Sequence, residues 1–103
     1  MVDRATIELV TEYLAVIPKE IGIKRAFLFG FHSRGLQRSE SDIDIALVVD
    51  GVTDMFNLQL QLMRLRRKID LRIEPHPIDK HDFNSSNPLA YEIEKNGIEL
   101  RIP

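Results

Sequence analysis

Apolar residues recur at helical spacing at the start of the chain. Ile7, Val10, Leu14, Ile17 and Ile21 predict an amphipathic helix over roughly residues 3–20, closed by Pro18 and Gly22. AFLFG (26–30) is a short apolar run ended by glycine and predicts a buried strand. A polar turn region follows at 31–41, then IDIALVV (43–49), rich in β-branched residues, predicts a second buried strand. Asp50-Gly51 is a turn signal. Met55, Leu58, Leu62, Leu65 and Ile69 predict a second amphipathic helix over 53–68, capped by Thr53 or Asp54.

IDLRIEP (69–75) alternates apolar and charged residues, as a half-exposed strand ended by Pro75 and Pro77 would. Asn87 and Pro88 open a third helix that Gly97 closes, and IELRI (98–102) is a last short strand. The order α-β-β-α-β-α-β predicts an α+β, two-layer arrangement: one domain over residues 1–103, with a mixed sheet packed with helices.

Composition narrows the function classes. With 103 residues, 44% hydrophobic and 29% charged, the chain suits a single core. The net charge of −2 argues against a general nucleic-acid binder. No cysteine is present, which excludes disulfides, thiolate metal sites and a cysteine nucleophile. The first residues lack a signal-peptide pattern and no apolar run is long enough to span a bilayer, so a cytoplasmic location is the expectation.

Chemistry concentrates in FGFHSRGLQRSESDIDI (29–45). Strand side chains alternate, so Asp42 and Asp44 share a face, roughly 6–7 Å apart. Two ionised carboxylates there repel each other and lose hydration. A divalent cation between them removes both costs, and hard oxygen ligands suit Mg²⁺. A bare D-x-D is also common as a solvated acidic pair. Three features shift the balance: Gly30 directly after an apolar strand, Ser41 directly before the pair, and Asp70 at the start of a later charged strand face. A two-metal phosphoryl-transfer site needs carboxylates for the metals, a further carboxylate for the nucleophile and a tight glycine turn for the phosphates.

With these residues the chain resembles the minimal nucleotidyltransferases of the DNA polymerase beta superfamily. Their pattern hG-S-x-x-x-G, a spacer, then S-D-I-D-h is matched by Phe29, Gly30, Arg34, Gly35, Ser41, Asp42, Ile43, Asp44 and Ile45. Ile69-Asp70-Leu71 fits the family's third carboxylate, and EIEKNGIEL resembles the family's ending. The resemblance implies ATP or another nucleoside triphosphate, a two-metal Mg²⁺ site and transfer of a nucleoside monophosphate to a hydroxyl. It makes Asp42, Asp44 and Asp70 the metal ligands and catalytic residues; Glu74, two strand steps from Asp70 on the same expected face, is a weaker candidate for the role of Asp70. It makes Gly30, Ser33, Arg34, Gly35 and Ser41 the nucleotide-binding residues. It also implies a helical HEPN-type partner protein, with this chain as antitoxin to its toxin.

Phe31 departs from the pattern, standing where the family has serine. It keeps the backbone N–H but loses a hydroxyl that contacts the triphosphate, at a cost of about 1–3 kcal/mol if a buried phosphate oxygen goes unpaired. His32 or Ser33 would have to substitute. Two functions therefore stand side by side: a transferase, or a catalytically weak module that neutralises or regulates a partner by binding it.

Other features read more simply. RLRRK (64–68) suits a helix C-terminus, where cations meet the dipole, better than a nucleic-acid patch. Arg38 reads as surface charge. His76 and His81, near Asp79 and Asp82, fit a proline-rich loop better than a zinc site. Either apolar stripe is compatible with a homo-oligomeric contact.

Overall fold

The computed structural model describes residues 2–30 and 42–103. Helix α1 runs Arg4–Val16, and Asp3 caps it by accepting from the Thr6 N–H at 2.7 Å. It stops short of the predicted end because Ile17 precedes Pro18. The proline ring pushes Ile17 into extended backbone (φ −72°, ψ 125°). Strand β1 (Arg25–Phe29) and strand β2 (Ile43–Val49) pair antiparallel. Helix α2 (Met55–Leu65) is capped by Asp54, which accepts from the Asn57 N–H at 2.9 Å. Strand β3 (Ile73–Asp79) pairs parallel with β2. Helix α3 (Pro88–Asn96) is capped by Asn87, and strand β4 (Ile98–Leu100) pairs antiparallel with β1. The sheet order is β3-β2-β1-β4. The element order and the mixed sheet agree with the expectation from sequence.

Every residue of β2 except Asp44 is buried, because helices cover both faces of this central strand. Leu28, Ile43, Ile45 and Leu47 pack on one face against Val10, Tyr13 and Leu14 of α1 and Leu58 and Leu62 of α2. The Tyr13 hydroxyl donates to the Leu62 carbonyl at 2.7 Å inside this core, joining the two helices. Phe27, Ala46 and Val48 line the opposite face under Ile93 of α3.

The third strand departs from the predicted 69–75. Residues 66–68 continue α2 as a 3-10 turn, and the N–H groups of Ile69 and Asp70 both donate to the Arg66 carbonyl at 2.9 Å. The Ile73 N–H then donates to the Asp70 carbonyl at 3.2 Å. The chain is thus still turning through Asp70 and becomes a strand only at Ile73. Pro75 and Pro77 lie inside β3 rather than ending it. β3 is an edge strand, and a proline there costs no ladder bond when its nitrogen faces outward. The Ile43 N–H donates to the Arg72 carbonyl at 2.8 Å. In a parallel ladder this alternation turns the backbone nitrogens of 74, 76 and 78 inward and those of 75 and 77 outward.

Candidate active site

The end of β1 meets the start of β2, with Phe29 opposite Asp44. Gly30 follows at φ +76°, a backbone conformation that glycine adopts without strain. A Cβ built there would lie 2.9 Å from Asp44 Oδ2. Glycine therefore lets the backbone run past this carboxylate at a distance any side chain would obstruct. Asp42 is exposed just ahead of β2, and Asp44 is half-buried within it. Ser33, Arg34, Gly35 and Ser41, together with Phe31, lie outside the described residues.

The parallel register sets Glu74 directly opposite Asp44 and His76 opposite Ala46. Neighbouring strands lie about 4.8 Å apart, so Asp44 and Glu74 are side by side on one face. Ala46 is small and leaves room for His76 to lean back diagonally. His76 Nε2 lies 2.9 Å from Asp44 Oδ1, and the imidazole meets the Phe29 ring edge to face at 5.2 Å. Glu74 Oε1 accepts from Arg66 Nη1 at 3.0 Å, and the same nitrogen donates to the Ile73 carbonyl at 2.8 Å.

Asp70, expected on this strand face, lies in the turn before it. Its carboxylate is held by the Arg72 side chain at 2.9–3.2 Å and accepts from the Arg72 N–H at 2.8 Å. These bonds from Arg72 hold the Asp70 carboxyl below its ordinary value of 3.8. A depressed folded pKa stabilises the fold above the unfolded value, and that stabilisation fades as pH falls through the folded one. Asp70→Asn is therefore expected to lower the urea midpoint near neutral pH, by a margin that shrinks below about pH 4. A margin that stays constant down to acid pH would contradict the pairing.

Sequence alone missed Glu74 and His76 as the neighbours of Asp44. His76 lies in a strand, not in the loop expected. His81 lies apart from it, with Nδ1 3.0 Å from Asp79 Oδ1. The donor chemistry fits a hard divalent cation: Asp42 and Asp44 lead into one strand, Glu74 lies opposite, and Gly30 keeps the space beside Asp44 Oδ2 clear of a side chain. As the side chains stand, no group of three His, Asp or Glu among the described residues is gathered tightly enough to hold a metal. No described helix is long and apolar enough to cross a membrane.

A mixed sheet with a glycine turn and an aspartate strand meeting at its centre defines a nucleotidyltransferase-type domain. The profile of the polymerase beta nucleotidyltransferases matches residues 12–101, and the chain belongs to that family. No curated protein matches it. Among solved structures it is similar to a protein from Sulfolobus solfataricus provisionally assigned as a nucleotidyltransferase. That likeness has 18% identity and a TM-score of 0.64, covering 92% of this chain and 78% of the other. It is also similar to a toxin–antitoxin structure with AMP-PNP (24% identity, TM-score 0.63, covering 94% and 73%). A mutant of the MntA–HpeT toxin–antitoxin gives 22% identity and a TM-score of 0.62 over the same shares. At these identities the likeness to solved structures concerns the fold.

Proposed function

We propose that this protein transfers a nucleoside monophosphate from a nucleoside triphosphate, ATP foremost, to a hydroxyl of a partner protein. The observation that carries the reading is the meeting of Gly30, Asp44 and Glu74 at one end of the sheet. Magnesium, when bound, would neutralise triphosphate charge and make the acceptor hydroxyl more acidic. Asp42 and Asp44 would hold it. The acceptor oxygen attacks the α-phosphorus, the α–β bridging P–O bond breaks, and pyrophosphate leaves. The acceptor proton passes to a carboxylate of the set. Glu74 is the better candidate for this role than Asp70, since it lies in register with Asp44 while Asp70 is engaged by Arg72. Gly30, Ser33, Arg34, Gly35 and Ser41 would bind the triphosphate. The toxin–antitoxin likenesses, one of them with AMP-PNP, support an adenine nucleotide and a partner protein; that the partner is a helical HEPN-type protein is part of the proposal.

The test pairs this protein with the product of its neighbouring gene, Mg²⁺ and ATP labelled at the α-phosphate. Label is expected on the partner, and its loss is expected in Asp42→Ala/Asp44→Ala. A stable complex with no label from any of the common nucleotides would refute transfer.

That outcome would favour a second reading, a binding module that keeps the fold without turnover. It too has an observation behind it. Asp44 is bonded to His76, Glu74 to Arg66 and Asp70 to Arg72, so these three carboxylates already have protein partners.

A further inference from the structure

The core side of α2 is formed by Leu58 and Leu62, yet its outer side also carries apolar residues. Phe56 is 75% exposed and Leu60 39%, with Met63 half-buried beside them. The spacing i, i+4, i+7 aligns the three as one stripe. The stripe ends among Arg64, Arg67 and Lys68, all exposed. From Met55 to Lys68 there are four cations and no carboxylate.

We propose that this face docks an acidic amphipathic helix of a partner protein. The inference rests on the partner in the reading above, not on catalysis. Charge complementarity selects the occupant's sign: an apolar stripe running into an unbalanced basic end fits apolar anchors followed by Asp or Glu. A second copy fits poorly, because its own α2 offers no carboxylate in either orientation. The adjacent Asp54 is turned to its own helix, accepting from the Asn57 N–H.

The neighbouring sheet edge selects the occupant's backbone. An extended segment would need free backbone groups along β3. Pro75 and Pro77 have no N–H, the Pro75 carbonyl accepts from Gln59 Nε2 at 2.9 Å, and the Ile73 carbonyl accepts from Arg66. Strand addition is blocked, and a helix lying along the stripe needs none of these groups. Such a helix would lie close to the site, because Arg66 on the same segment holds Glu74.

The test is a display library of helical peptides about 18 residues long, selected on the intact protein. Enriched peptides are then measured on Phe56→Ser/Leu60→Gln and on Arg64→Glu/Arg67→Glu. Phe56, Leu60 and Arg64 lie on the outer face of α2 and Arg67 is exposed in the turn that continues it, so both variants should keep the wild-type circular dichroism. The expected winners place apolar residues at helical spacing beside Asp or Glu. Loss of hot-spot contacts should weaken them about tenfold or more in either variant. Enrichment of basic peptides, no shared pattern, or affinities indifferent to both variants would overturn the proposal. So would self-association lost on Phe56→Ser/Leu60→Gln. A short single-stranded RNA whose binding needs Arg64 and Arg67 but not Phe56 and Leu60 would reassign the face to nucleic acid. A transfer assay without label leaves this result intact, so the two proposals fail separately.

Discussion

Glu74→Gln is expected to lower the rate of label transfer by about 10²–10⁴-fold, the range for removing a general base. Asp70→Asn should stay within about threefold, since it breaks a pair in a turn rather than a group beside the reacting atoms. The contrast follows from register. Glu74 is the direct neighbour of Asp44, whereas Asp70 lies before the strand in the grip of Arg72. Stability separates this from unfolding. Glutamine still offers Arg66 a carbonyl oxygen, and the bond from Arg66 to Ile73 remains, so the fold should lose no more than about 1 kcal/mol. Equal melting curves with unequal rates are the expected pair of results. A larger loss from Asp70→Asn than from Glu74→Gln would return the third-carboxylate role to Asp70.

Tyr13→Ala is expected to destabilise the fold by about 3–5 kcal/mol, as truncation of a buried aromatic does. Domains of this kind have total stabilities of about 5–15 kcal/mol, so the variant should be marginal at ambient temperature. Tyr13 is fully buried in the core between α1 and α2. Its hydroxyl bonds to the Leu62 carbonyl, so the side chain both fills volume and ties two helices together. Burial raises its pKa well above the usual phenol value, which keeps it a neutral donor. Tyr13→Phe keeps the ring and should cost only about 1 kcal/mol, the net value of one hydrogen bond. Chemical denaturation of the two variants divides packing from bonding. Equal losses would show that the hydrogen bond, not the ring volume, dominates.

Much of this fold is written in local patterns. The spacing of Val10, Leu14 and Ile17, of Leu58 and Leu62, and the unbroken run after Asp44 mark faces that pack on one core. Asp54 and Asn87 are caps because their side chains reach N–H groups two or three residues on, a purely local event. The start of β3 is not local. Ile69-Asp70-Leu71-Arg72 alternates like a strand, but its backbone is held by the Arg66 carbonyl, and Leu71 is exposed. Pro75 and Pro77 look like strand breakers until the sheet order makes β3 an edge.

The site divides in the same way. Gly30 and the aspartate pair lie near one another in the chain and are legible. That Glu74 and His76 join them depends on the crossover through α2, which fixes the pairing of β3 thirty residues later. No pattern within either segment encodes that register.

The pairing of β1 with β4 has a consequence during synthesis. Leu28 must wait for Ile98 before that side of the sheet is completed. At about 5–20 residues per second, the seventy residues between them take roughly 4–14 s to emerge from a ribosome. Once β3 has emerged at Asp79, a nascent sheet of β1, β2 and β3 keeps an unpaired hydrophobic edge at β1 until Ile98 follows. Crowded polysomes, where neighbouring chains expose the same edge at the same moment, are therefore where this protein is most exposed to mispairing.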